Sequence, residues 1–190
     1  MTPQFFAPKP LSELIHKLPK TDQDDLEQGQ VVISGSAGEY VARTVLQASP
    51  QAAWEVLTDY DNFSSFLPNV TDTQVLDQTG PKTVVEQTNT CQILLANIES
   101  TVLTENVATD AGRIKFRLLD GDLDQLDGYW QIFPLSNPAD HILLVQVVTA
   151  EANIGILNGG FYDIFEGTLR NNLEAIHSEI NRRVSTDQIA

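Results

Sequence analysis

Residues able to do chemistry are scattered along this 190-residue chain rather than gathered in a motif. Its three histidines, His16, His141 and His177, stand in separate segments and form no catalytic constellation. The sequence contains no Gly-x-Ser-x-Gly turn, no phosphate-binding P-loop and no Gly-x-Gly-x-x-Gly loop. We therefore predict no nucleophilic catalysis and no cofactor.

Carboxylates are the remaining candidates for acid–base chemistry, because burial can raise their pKa towards neutrality. Glu99, Glu151 and Asp163 lie near inward positions of the predicted elements. Solvated side chains are nevertheless the expectation for all three, since acidic residues seldom lie buried without a partner. No catalytic residue is predicted.

Two features bear on metals and redox chemistry. Residues 120–124 resemble the start of a calcium-binding loop, but Gln125 and Gln131 stand where that motif requires Gly and Glu. The single Cys91 excludes an intramolecular disulfide and a cysteine-based metal cluster. We therefore predict an acidic turn, a buried thiol and no metal site.

The charge of the chain restricts its partners. With 11 basic and 26 acidic residues the net charge is −15, which repels nucleic acid and anionic membranes. No run approaches the ~18 apolar residues of a membrane span, and no signal-peptide core occurs near the start. We expect a cytoplasmic protein with no nucleic-acid partner and no stable membrane insertion. The acidic surface serves solubility or docks a basic protein partner.

The elements that would position a site begin near residue 30. Residues 1–29 carry prolines and an acidic cluster, so a loosely ordered N-terminal extension is predicted. Residues 30–185 form the predicted domain, and 186–190 a tail. Ser49 and Pro50 suit the N-cap and first position of a short helix, and a second short helix follows near 61–67.

Residues 70–153 alternate between apolar and polar side chains, with Gly, Asp and Pro between the runs. In the clearest run, Arg113, Lys115 and Arg117 alternate with three apolar side chains. No connection is long enough for a crossover helix, so antiparallel neighbours are expected. The predicted strands cover residues 70–77, 82–91, 93–105, 112–119, 125–135 and 142–153.

The chain ends in its strongest helical pattern, over residues 158–184. A twisted sheet needs an apolar element across its concave face, and this helix has the longest apolar stripe. The pattern predicts an α+β fold, in which a curved antiparallel sheet of about seven strands surrounds the C-terminal helix and two short helices follow the first strand. The space between them is either a cavity or a filled core. The stripe comprises Phe161, Phe165, Leu169, Leu173, Ile176 and Ile180.

Three segments resemble START-like proteins of the SRPBCC superfamily. They are residues 54–70 (WEVLTDYDNFSSFLPNV), 122–130 (DLDQLDGYW) and 169–176 (LRNNLEAI). The similarity, over about residues 31–184, is to the branch of polyketide cyclase/dehydrase and lipid transport proteins, which includes coenzyme Q-binding proteins. It implies a helix-grip (START/Bet v 1-like) fold with a cavity, while the fold itself serves carriers, sensors and cyclases alike.

The hypothesis that follows is binding or transport of a hydrophobic small molecule: a lipid, an isoprenoid quinone or a polyketide-like aromatic. One rival is an aromatase/cyclase, which would need ionisable groups facing the same cavity. Another is a regulatory interaction domain with a vestigial cavity. The ligand-binding candidates are the inward-facing side chains Phe116, Leu118, Trp130, Ile132, Val145 and Val147 of the strands and Phe161, Phe165 and Leu169 of the helix.

Overall fold

A curved sheet of nine strands dominates the computed structural model, which describes residues 4–93, 96–109, 111–152 and 158–187. Eight strands pair antiparallel in the order β2-β3-β9-β8-β7-β6-β5-β4, and the two-residue β1 pairs parallel with β8. The strands are β1 (Lys9–Pro10), β2 (Val32–Ser36), β3 (Glu39–Leu46), β4 (Val70–Thr79), β5 (Lys82–Ile93), β6 (Ala96–Thr109), β7 (Arg113–Gly121), β8 (Gln125–Asn137) and β9 (Ile142–Glu151).

Five α-helices accompany the sheet in the described residues, and the last is by far the longest. At 30 residues it spans about 45 Å. It continues to Asp187, so part of the predicted tail is helical. The helices are α1 (Leu11–Ile15), α2 (Lys20–Glu27), α3 (Pro50–Leu57), α4 (Phe63–Phe66) and α5 (Asn158–Asp187), with a 3-10 turn at Tyr60–Asn62.

The predicted helix-grip architecture is confirmed, with two corrections to its details. The six strands predicted from alternation correspond to β4 to β9. The sheet has nine strands rather than about seven, and the short helices follow a β2–β3 hairpin rather than a first single strand. Gly35 permits this tight hairpin, because its φ of +114° and its close approach to the Glu39 carbonyl exclude a side chain.

The start of α3 agrees with the sequence expectation. The Ser49 hydroxyl accepts a hydrogen bond from the Ala52 backbone N–H at 3.1 Å, and Pro50 is the first helical residue. This cap fixes the direction of a helix whose Trp54 and Leu57 side chains are buried in the core. After α3 the chain continues directly into the 3-10 turn and α4, which lie above the inner face of the sheet.

The outer face of the sheet is covered by α1 and α2. Leu11, Ile15 and Leu26 are buried there in a cluster that includes Val45 and Leu143. The prediction of a loosely ordered extension over 1–29 therefore does not fit residues 11–27. Three well-placed apolar side chains suffice because the outer face of β3, β8 and β9 is itself apolar, so each buries surface on both partners.

An ion-pair cluster joins the end of α5 to the loop after α3. Glu179 is almost fully buried and accepts hydrogen bonds from Arg182 and Arg183 at 2.7 Å each. Arg183 also donates to Asp59 at 2.6 Å. The hydrogen bonds from Arg182 and Arg183 outweigh desolvation and lower the pKa of Glu179 from 4.5 to about 2.

Because of this ion-pair cluster, we expect the stability of the fold to decrease at acid pH. Above pH 4.5 Glu179 is ionised in both folded and unfolded chains, and its ion pairs contribute fully. As the pH falls from 4.5 towards 2, the unfolded chain takes the proton first, so roughly 2 kcal/mol of unfolding free energy is lost. Urea unfolding at pH 7, 5 and 3 measures it. Glu179→Gln should flatten this loss, whereas Glu174→Gln, exposed on the same helix, should not. Equal acid loss in Glu179→Gln and the unchanged protein would contradict the assignment.

Candidate functional site

A cavity of about 260 Å³ lies between the inner face of the sheet and α5. Its walls come from α5 and from β5 to β9, and residues around α4 complete it. The long helix does not fill the curve of the sheet along its whole length. Leu173 and Ile180 pack into a closed core with Ile142 and Leu144, while the cavity lies beside the preceding turns of the helix and extends as far as Ile176.

The helix contributes an aromatic wall to this cavity. Phe161 and Phe165 are stacked with ring centroids 5.6 Å apart, and Phe165 also lies 6.0 Å from Tyr40. Leu169, one turn further along, is buried and lines the same space. Stacked rings at this spacing form a broad apolar surface with little side-chain freedom.

The short helical segment after α3 adds a second group of rings. Tyr60 and Phe63 meet edge to face at 5.4 Å, and both line the cavity. Burial raises the pKa of the Tyr60 phenol well above its ordinary value of 10, so the hydroxyl stays protonated near neutrality. Among the described residues that line the cavity, Tyr60 is the only one with a titratable side chain.

The wall opposite the helix is polar but uncharged. Gln87 donates to Asn89 at 2.6 Å on β5, and Asn106 donates to Thr104 at 3.0 Å on β6. Amides and hydroxyls of this kind can donate to or accept from a ligand without a change of charge. The polar wall comprises Gln87, Asn89, Thr90, Ser100, Thr104 and Asn106.

The sequence analysis did not identify the polar wall, because its ligand-binding candidates were all apolar side chains. One signal was present. Glu86 and Glu105 stand in alternation with Val85 and Val102, so the charged residues mark the outer face. The amides share the face of the two valines, and the structure buries Val85 and Val102 against the cavity.

Five of the nine predicted ligand-binding residues line the cavity: Phe116, Trp130, Phe161, Phe165 and Leu169. They come together from β7, β8 and α5, which are distant in sequence. The alternation of β7 and the apolar stripe of α5 correctly predicted which side of each element faces inward.

Two predicted residues lie on the inner side but outside the described lining. Ile132 is fully buried in the closed core beside Leu173, where side chains occupy the space. Leu118, at the far end of β7, is partly buried and pairs with Thr104 beside a register shift between β6 and β7. An inward face therefore does not by itself distinguish the cavity from the core.

Val145 and Val147 lie on the outer face of β9, so their prediction as ligand-binding residues is wrong. They pair across the strands with Gln131 and Tyr129 of β8 and belong to the outer cluster covered by α1 and α2. Gln146 takes the inner face and lines the cavity. Because both faces of β9 are apolar and covered, its sequence carries no alternation that would reveal the orientation.

The remaining chemical candidates lie away from the cavity. Glu99, Glu151 and Asp163 are exposed. His177, expected at the surface, is partly buried on α5 with its ring nitrogen 3.3 Å from the Thr44 hydroxyl, and burial lowers its pKa. It does not line the cavity.

The acidic turn of residues 120–124 has a structural role. Asp122 accepts a hydrogen bond from the Thr101 backbone N–H at 2.7 Å, which ties the turn to β6.

No group of three or more His, Cys, Asp or Glu suited to a metal occurs within the described ranges. The side chain of Cys91 lies outside the described residues. Within the same ranges, no helix has the length and apolar character needed to cross a bilayer.

A sheet gripping one long helix over an apolar cavity defines a START-like protein by fold. The chain belongs to the polyketide cyclase / dehydrase and lipid transport family, which matches residues 46–177. Comparison with curated protein sequences finds no match.

Solved structures of low sequence identity share this fold. The Zhui aromatase/cyclase from Streptomyces sp. R1128 superposes with a TM-score of 0.68 at 18% identity, covering 77% of this chain and 94% of that one. A START superfamily protein from Mycobacterium smegmatis gives 0.64 at 15% identity, with 75% and 96% covered. A STAR-related lipid transfer protein from Xanthomonas axonopodis gives 0.57 at 18%, with 80% and 91% covered.

Proposed function

We propose that the protein binds a hydrophobic small molecule in this cavity and carries or senses it. The candidate ligands are a lipid, an isoprenoid quinone or a polyketide-like aromatic. The observation that supports the proposal most directly is the cavity itself: about 260 Å³ of space with an aromatic wall and no charged side chain in its described lining. Pre-formed pockets that are mostly apolar, with a few polar groups, are typical of ligand sites.

Apolar burial would supply much of the binding free energy. Burying ~300 Å² of ligand surface at about 25 cal/mol per Å² contributes roughly 7 kcal/mol, from which the entropy of association subtracts a large part. Phe161 and Phe165 already stack on each other, so little side-chain freedom is lost when a ligand contacts them. A micromolar dissociation constant corresponds to about 8 kcal/mol, so a ligand that reaches it must bury more than ~300 Å² of apolar surface or gain hydrogen bonds from the polar wall.

The lining favours binding over the cyclase alternative. Moving a proton requires a group whose pKa lies near the working pH. Tyr60, with its raised pKa, can donate a hydrogen bond but is a poor base. A regulatory domain with a vestigial cavity is also less well supported, because the space beside α5 is open rather than filled. Binding of a basic protein by the acidic surface, and a cytoplasmic location, stay predictions of the sequence.

Native mass spectrometry and dye binding test the proposal together. The freshly purified protein should carry a co-purified lipophile, or once stripped should bind Nile red, an uncharged apolar dye, with a dissociation constant in the micromolar range. A protein that carries nothing and binds neither Nile red nor any of a panel of neutral lipophiles would refute the proposed function.

A further inference from the structure

Asn172 borders the cavity and carries a buried acceptor atom that has no hydrogen-bond donor. Its side chain lies on α5 and lines the cavity, and its amide oxygen is buried without a donor. Buried polar atoms in folded proteins are almost always paired, because an unpaired one loses its bonds to water and receives nothing in return. This oxygen is closed to solvent, so a ligand reaches it only when the Asn172 side chain turns towards the open space. Such a turn costs no protein hydrogen bond to the oxygen, and a donor on the bound molecule would supply the missing partner.

The charge of the lining gives a second, independent restriction. The chain carries 26 acidic and 11 basic residues, yet none lies among the described lining residues. A carboxylate or phosphate on a ligand would therefore find no cation on this surface. Moving an ionised group from water into such a space without a counter-charge is strongly unfavourable.

The polar wall restricts the ligand further. Amides and hydroxyls of β5 and β6, such as Gln87 and Asn106, face the same cavity as the aromatic wall of α5. A purely hydrocarbon ligand would cover these groups and remove their access to water. A molecule with an apolar body and neutral polar atoms would satisfy both kinds of surface.

We propose that the cavity selects an uncharged amphiphile with a hydroxyl or N–H group, and that this group donates a hydrogen bond to the Asn172 amide oxygen. The inference rests on the proposed binding function and adds the ligand's chemical class. Ionised lipids such as fatty-acid anions and phosphate esters are excluded from the cavity. Asn172 is a specificity-determining residue in this scheme.

Matched probes with one fifteen-carbon isoprenoid tail separate the possibilities. Farnesol has a hydroxyl donor, farnesyl methyl ether has only an acceptor, and farnesoic acid is ionised at pH 8. Displacement of Nile red at pH 8 gives each dissociation constant. Farnesol should bind at least about tenfold more tightly than the ether and the acid, which corresponds to 1.4 kcal/mol or more.

Asn172→Leu tests the residue directly. Removing the unpaired amide should abolish the preference for farnesol over the ether and raise the Tm of the empty protein by about 2–4 °C, because a buried unpaired group disappears. Asn171→Leu, at the exposed neighbouring position on the same helix, is the control and should leave the farnesol preference intact.

The outcomes distinguish this inference from the proposed function. If the unchanged protein binds farnesol, ether and acid equally, or if Asn172→Leu keeps the farnesol preference, the inference is wrong while the binding function stands. If no probe and no Nile red binds, the binding function fails, and the inference fails with it.

Discussion

Replacing Gly128 by alanine is expected to lower the unfolding free energy by roughly 4 kcal/mol or to prevent folding altogether. Gly128 lies in the middle of β8 with a φ of +157°. A Cβ atom there would collide with the Val147 backbone carbonyl of β9 and come within 2.9 Å of the Phe116 ring. Neighbouring backbone cannot yield as a flexible side chain can, so relief requires the β8–β9 pairing to separate.

Chemical denaturation monitored by fluorescence and circular dichroism measures this effect. Gly80→Ala is the matched control, because Gly80 also has a positive φ, of +61°, but nothing lies within 4 Å of its added Cβ. The unfolding free energy of that variant should fall by only about 1–2 kcal/mol, which is the ordinary strain of an alanine in the left-handed conformation. A Gly128→Ala protein as stable as Gly80→Ala would show that close packing at β8 is not required.

The second large effect is expected from Thr168→Trp, which should weaken the binding of Nile red or farnesol at least tenfold. Thr168 lines the cavity from α5, next to Leu169. An indole ring at this position occupies space that a ligand would need, while the rest of the helix keeps its contacts. The result would also establish that the ligand lies in the cavity rather than on the outer surface.

Two variants control this experiment. Gly167→Trp adds the same bulk one residue earlier, on an exposed face with nothing within 4 Å, and should leave affinity unchanged. Thr168→Val exchanges the hydroxyl for a methyl group of similar size and should change affinity little. If Thr168→Trp folds with an unaltered melting temperature and binds as tightly as the unchanged protein, the ligand does not occupy this cavity.

Much of the fold was predictable because two periodicities are clear in the sequence. The alternation of Arg113, Lys115 and Arg117 with apolar residues identified the two faces of β7, and the structure places Phe116 towards the cavity. The stripe of α5 was recognised for the same reason. Ser49 capped its helix as its side-chain chemistry indicates.

The predictions that the structure contradicts also failed for physical reasons. Val145 and Val147 were assigned to the wrong face because α1 and α2 cover the outside of β9, so both its faces are apolar. The ordering of Leu11 and Ile15 depends on a partner surface that includes Val45 and, more than 100 residues away, Leu143, and local composition does not show such a surface. The amides of the polar wall were not among the candidates because only apolar side chains were selected, whereas a cavity can hold polar groups that a filled core would not accept.

The two halves of α5 divide the work of the protein. Leu173 and Ile180 anchor the helix in the closed core, while Phe161, Phe165 and Thr168 border open space. Substitutions towards the N-terminal end therefore alter the shape of the cavity at small cost to stability, whereas those towards the C-terminal end remove core contacts. A helix arranged in this way lets new ligand preferences evolve on an unchanged scaffold, and engineered libraries are best confined to its first half.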